Sequence, residues 1–224
     1  KIYLKFHSIS NMNFLPKEIN DYSEKYTQKE DDVLYQLHRE THQKILRPRM
    51  LSGHLQGQLL TMFSKMVSPE AILEIGTYTG YSAICLARGL KEGGKLHTID
   101  INEELEDFAL RFFEKAGLTN QIKTHVGNAM EIIPSIHKEW DMVFVDADKE
   151  NYVNYYNLVF ESVKKGGIII FDNVLWSGKV TQDIDPKDQE TKSLLELAEA
   201  LEMDNRVENV LLPVRDGLFM VRKK

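Results

Sequence analysis

The 224-residue sequence carries a net charge of −6 and is 42% hydrophobic. That is enough apolar material for a sizeable core, and the mildly acidic balance argues against a nucleic-acid binder that relies on a basic face, while leaving room for a local basic patch. The single cysteine, Cys85, excludes an intrachain disulfide, and no apolar run approaches the ~20 residues that span a bilayer.

Cys85 lies in an apolar helical run and reads as a small buried hydrophobe. Lys1–Asn11 has neither a long apolar core nor a small-residue cleavage site, so no signal peptide is expected and the default setting is cytoplasmic. Residues 1–12 read as leader residues, with Met12 a candidate start, and 13–224 as a single domain whose N-terminal helices run from about 16 to 67. Val33, Leu34, Leu37, Thr41 and Ile45 recur at helical spacing over Asp31–Leu46. His38 and His42 share a face of that helix, but Arg39 stands where the zinc-protease pattern needs Glu, and no third ligand is in view. Arg47-Pro48-Arg49 breaks the pattern, and Ser52 is expected to cap a second helix running to about Val67.

Ala71–Gly76 reads as a strand, followed by the turn Thr77–Gly80 and a helix over Tyr81–Leu90. Lys95–Asp100 is a second strand, and Asn102 caps a helix over Glu103–Ala116 that Gly117 closes. A strand at Ile122–Val126 leads into a short helix, Gly127–His137, interrupted by Pro134. Then come the strand beginning at Met142, a helix from Lys149 to Lys164, and a strand from Ile168 after Gly166-Gly167. Thr191–Glu202 is helical, and Val207–Leu212 with Leu218–Val221 forms a terminal hairpin. Five βα units and a hairpin make an α/β doubly wound, mostly parallel seven-stranded sheet with an antiparallel edge.

Four strand ends carry chemistry. Glu74-x-Gly76-x-x-x-Gly80 sits at a strand–turn–helix junction, where glycine permits close approach of a ligand to the backbone. Tyr78 occupies the place where a dinucleotide fingerprint needs its second glycine. Asp100, 24 residues after Gly76, is placed to accept hydrogen bonds from ribose hydroxyls, so a nucleoside-type ligand without a pyrophosphate is expected. Ser82 lacks the following glycine of a nucleophile elbow, which argues against a hydrolase. Across the sheet, Met142-Val-Phe-Val145 ends in Asp146-Ala147-Asp148-Lys149, and Ile168-Ile-Ile-Phe171 ends in Asp172-Asn173. Asp146, Asp172 and Asn173 offer hard oxygens suited to Mg²⁺ or Ca²⁺ rather than zinc. Asp148 can serve as the cap of the next helix, and a lysine beside a divalent cation can act as a base.

The stretches LSGHLQGQLL (51–60), ILEIGTYTGYSAICLA (72–87), VFVDADKENY (143–152), FDNVLWSGKV (171–180) and LLPVRDGL (211–218) resemble the cation-dependent, S-adenosylmethionine-dependent O-methyltransferases of the caffeoyl-CoA and catechol type. The resemblance implies a Rossmann-like methyltransferase fold with the Met142 strand beside the Ala71 strand. It implies that Asp146, Asp172 and Asn173 hold a divalent cation, Mg²⁺ first with Ca²⁺ or Mn²⁺ as alternatives, and that Lys149 is the general base. It implies S-adenosylmethionine contacts at Ser52, Glu74, Gly76, Thr77, Ser82, Asp100, Ala129 and Asp148, and pocket walls at Met50 and Trp176. A homodimer is likewise implied. The connection Ile133–Asp141 is short where the plant acyl-CoA branch carries extra residues, so a small catechol-like or phenylpropanoid phenolic substrate is expected rather than the thioester. Methylation of a hydroxylated tRNA base, a nicotinamide-dependent oxidoreductase and a non-catalytic cofactor sensor stand as alternatives.

Overall fold

Of the helices ahead of the first strand, the second shows its origin most plainly: apolar residues recur on one face and an acid caps its start. In the computed structural model, which describes residues 15–136 and 138–224, α1 spans Lys17–Tyr26, α2 Asp32–Lys44 and α3 Gly53–Val67. The leader assigned to residues 1–12, and the His137 end of the helix expected over Gly127–His137, lie outside the described residues. Asp31 Oδ1 accepts the Leu34 amide at 3.0 Å, and α2 turns Leu34, Leu37 and Thr41 inward. By contrast, α1 buries none of its residues.

Ser52 does not cap α3. It already has right-handed helical angles, and Gly53 beyond it is left-handed at φ +73°, so the hydroxyl is not aimed at the free amides of the first turn. The break at Arg47–Arg49 is real and takes the form of a single 3₁₀ turn, Pro48–Met50.

The sheet follows from short apolar runs separated by helices: β1 (Ala71–Ile75), α4 (Tyr81–Ala87), β2 (Lys95–Asp100), α5 (Glu106–Lys115), β3 (Ile122–Val126), α6 (Ala129–Ile132), β4 (Trp140–Val145), α7 (Tyr152–Phe160), β5 (Val163–Asp172), α8 (Gln189–Met203), β6 (Val207–Leu212) and β7 (Leu218–Lys223). The seven strands take the order β3-β2-β1-β4-β5-β7-β6. The first five are parallel, and β7 returns antiparallel between β5 and β6. This is the doubly wound, mostly parallel sheet with a C-terminal hairpin that the residue pattern predicts. Among the described residues no helix is long and apolar enough to cross a membrane.

One boundary departs from expectation. The helix after Lys149 stops at Phe160, and β5 starts at Val163 rather than Ile168. Trp140 pairs with Val163, the register then slips before Met142 pairs with Ile168, and Gly166 lies within the strand at φ +81°. The Gly-Gly pair is therefore an irregularity inside a strand and not the turn before one.

Two apolar layers cover the sheet, as parallel strands require. On one face Leu73, Val143, Val145 and Phe171 pack with Tyr155, Val159, Leu197 and Leu201 of α7 and α8. On the other, Ile72, Met142, Phe144 and Ile170 pack with Leu37, Leu60, Ile84 and Phe112 of α2 to α5. Every residue of β1 is buried, including Glu74.

Candidate active site at the carboxyl ends of the strands

The chain winds one way from β1 through β2 to β3 and the other way from β4 to β5, so a crevice opens beyond the carboxyl ends of β1 and β4. Gly76 closes the floor of that crevice. Its amide donates to Ile99 O at 2.8 Å, the Asp146 amide donates to Ile75 O at 2.8 Å, and a Cβ on Gly76 would sit 2.0 Å from Asp146 O. Close approach of another strand, together with φ +105°, accounts for glycine here.

On the β2 side, Asp100 Oδ2 accepts the Tyr78 amide at 2.7 Å and Oδ1 accepts the Asn102 amide at 2.9 Å. A carboxylate has about four acceptor positions, so two stay available. Thr77 and Thr98 share a hydroxyl hydrogen bond of 2.5 Å, and Thr98 donates to Glu74 Oε2 at 2.6 Å. Burial pushes Glu74 up to about 8, opposed by Ser82 and Thr98 and reinforced by the charges of Asp146 and Asp100. Its Oε1 is buried with no partner, as is Thr79 Oγ1. Ser82 is buried on the first turn of α4, and Ala129 opens α6 behind an Asn128 cap.

On the β4 side, Val145 pairs with Phe171, which sets Asp146 and Asp172 next to each other at adjacent strand ends. Lys149 is buried, with Nζ 3.2 Å from Asp146 Oδ1, 3.1 Å from Ala147 O and 2.5 Å from the Tyr152 hydroxyl. Tyr152 in turn donates to Asp172 O at 2.9 Å. Burial, then the charge of Asp146, holds the Asp172 carboxyl above the usual carboxylate range, against the pull of Lys149. Asn173 follows in a left-handed conformation, φ +57°. Two crowded carboxylates and an amide are a hard-oxygen set whose mutual repulsion a cation would relieve, so these residues fit a divalent metal. Among the described residues no group of three or more His, Cys, Asp or Glu is arranged to hold a metal; His38 instead bonds Glu30 at 3.1 Å.

The structure thus brings Asp146, Lys149 and Asp172 together, with Asn173 next in the chain, its amide bonded to Asp172 Oδ1 at 2.7 Å, and the Trp176 ring centroid 5.7 Å from Lys149 Nζ. Asp100 stands two strands away, roughly 10 Å at the usual strand spacing. Met50 is exposed in its 3₁₀ turn. Asp148 is not a side-chain cap: its oxygens accept from the Tyr155 hydroxyl at 2.6 Å and from Asn151. Three participants escape the sequence reading. Tyr152, three residues after Lys149, was legible in principle as the next helical neighbour. Fully buried Gln56, which donates to Asp172 Oδ2, and Asp216, which accepts the Ser177 amide at 2.6 Å, give no local signal because their partners are remote in sequence.

The sequence profile of a family described as O-methyltransferase matches residues 23–224. The chain belongs to the O-methyltransferase family. It is 38% identical over 182 residues to caffeoyl-CoA O-methyltransferase 1 of Arabidopsis thaliana, covering 75% of this chain and 69% of that one. Among solved structures, an O-methyltransferase from Bacillus cereus in complex with SAH superposes with a TM-score of 0.85 at 28% identity, covering 92% and 97% of the two chains. The O-methyltransferase TomG from Streptomyces achromogenes, in complex with SAM, superposes at 0.84 with 28% identity and 92% and 96% coverage. The expectation of an S-adenosylmethionine-dependent O-methyltransferase holds at that level.

Proposed function

We propose that this O-methyltransferase moves the sulfonium methyl of S-adenosylmethionine to one hydroxyl of a small catechol-like phenol, with a divalent cation, Mg²⁺ first, held by Asp146, Asp172 and Asn173. The observation that carries the reading is the position of Lys149 Nζ, 3.2 Å from Asp146 and flanked by the rings of Tyr152 and Trp176. A cation at the carboxylate pair would favour the ionised form of a nearby phenolic hydroxyl.

Lys149 accepts the proton of the attacking hydroxyl at Nζ, which Ala147 O and Tyr152 hold in place. Asp100 accepts from the ribose hydroxyls, and the unpartnered Oε1 of Glu74 supports a role in receiving a donor from the amino-acid end of the cofactor. Gly76, Thr77, Ser82, Ala129, Asp148 and Ser52 complete that contact surface, while Met50 and Trp176 wall the acceptor. A phenolate and a sulfonium neutralise each other in the transfer, so alignment contributes more than stabilisation of new charge. A homodimer is part of the same proposal, supported by α1, whose Ile19, Tyr22 and Tyr26 are exposed.

A methyl-transfer screen with Mg²⁺ across simple catechols, caffeoyl esters and hydroxylated tRNA tests the substrate class. Methylated catechols are expected; turnover confined to tRNA would overturn the phenolic reading.

A further inference from the structure

The turn between β6 and β7, Pro213–Gly217, belongs to none of the strand ends that carry the chemistry, yet it touches both sides of the pocket. Toward α3, Arg215 Nη1 donates to Leu51 O at 3.0 Å and to Ser52 O. The same nitrogen lies 3.5 Å from Gln56 Oε1, and Gln56 Nε2 donates to Asp172 Oδ2 at 2.5 Å. Toward the other wall, Asp216 O accepts the Leu175 amide at 2.8 Å, Asp216 Oδ1 accepts the Ser177 amide at 2.6 Å, and Gly217 O accepts the Val174 amide at 3.3 Å.

We propose that Arg215 is a positioning residue: its guanidinium, seated on the Leu51 and Ser52 carbonyls, clasps the Met50–Ser52 wall to the same turn that holds the Val174–Ser177 wall. The proposal rests on the reading that Met50, Ser52 and Trp176 line the transfer pocket.

The backbone supports it. Arg215 sits at φ +51°, a left-handed conformation that glycine adopts more easily than arginine. The guanidinium fixes the directions of its N–H donors, so Nη1 meets the Leu51 and Ser52 carbonyls in a set geometry, whereas a lysine ammonium rides on a flexible stem. Both segments that the turn secures are themselves irregular. Gly53 lies at φ +73°, and Trp176, Ser177 and Gly178 at +47°, +52° and +80°. Neither is fixed by a regular helix or strand of its own, so an external tie decides where Met50 and Trp176 stand relative to Lys149.

The test compares wild-type protein with R215G and R215K. R215G removes the guanidinium and relieves the left-handed backbone at once, so its melting midpoint stays close to wild type. SAH affinity is read by calorimetry, and kcat and KM for a catechol are read with Mg²⁺ present. R215G is expected to bind SAH several-fold more weakly and to lose about tenfold or more in kcat through misalignment, with R215K intermediate. A purely fold-supporting residue would lower the melting midpoint and the active fraction and leave SAH affinity unchanged; that pattern overturns the proposal. Should R215G melt early, R215K decides: intermediate SAH affinity supports the clasp, and wild-type affinity overturns it. Wild-type protein that binds SAH, with R215G indistinguishable from it, overturns the role of Arg215 alone. Wild-type protein that fails to bind SAH overturns the site reading and the clasp with it.

Discussion

Lys149 is the residue on which the proposed chemistry turns. It is buried, and its Nζ has three acceptors within reach in Asp146, Ala147 O and Tyr152. Replacing it by alanine removes the proposed proton acceptor while leaving Asp100, Glu74 and the glycine turn untouched. Lys149→Ala is therefore expected to lower kcat by about 10²–10⁴-fold with SAH affinity retained, as loss of a general base does. Single-turnover methyl transfer and calorimetry measure the two separately, and an unchanged rate removes Lys149 from the role. The residue pattern made Asp146, Lys149, Asp172 and Asn173 legible, because charged groups directly after apolar strands stand out. It did not reveal Gln56 or Asp216, whose neighbours Asp172 and Ser177 lie 116 and 39 residues away.

At the scale of elements, the site depends on how closely β1 and β4 end. Gly76 is the closest point, with no room for a methyl group against Asp146 O. Gly76→Ala is expected to push those strand ends apart and, with its strained φ, to cost several kcal/mol of stability. Denaturant unfolding and SAH titration check it, and wild-type values in both would show that the strand ends can relax. Strand and helix identities were readable from periodicity, since β1 and β4 are largely apolar runs and glycines and acids punctuate the elements between them. The α7–β5 boundary was not. Its glycines mark an irregularity within β5, and such a slip is decided by pairing with Trp140, not by local sequence. Ser52 failed as a cap because it already has right-handed helical angles and Gly53 after it is left-handed, a conformation its local sequence does not announce.

For the whole molecule, two buried groups set opposite pH limits on stability. Glu74 titrates at about 8 against an ordinary 4.5, so the folded state keeps a proton that the unfolded chain releases across that window. Stability therefore falls as pH rises from 4.5 toward 8, by at most about 1.4 kcal/mol per pH unit for one group. Asp172, also raised, acts in the same direction. His97, pushed down to about 4 by burial and by His125 stacked beside it, does the reverse. The unfolded chain takes up its proton below 6.5 and the folded state only below about 4, so stability falls as pH drops through that range. Melting midpoints of the ligand-free protein should decline from pH 6.5 to 8, and Glu74→Gln should flatten that limb. A slope that E74Q leaves unchanged would assign it elsewhere.

Assembly is tested at the same scale. The exposed Ile19, Tyr22 and Tyr26 on α1 are expected to be covered in a dimer, which light scattering coupled to size exclusion reports as twice the chain mass. A monomer at micromolar concentration would contradict that expectation.

Cation dependence tests the paired strand ends most directly. Transfer of a labelled methyl group from S-adenosylmethionine to a catechol should stop in excess chelator and return when Mg²⁺ is restored above it. Full turnover in the chelator would contradict a metal at Asp146, Asp172 and Asn173, and with it the central account of the site.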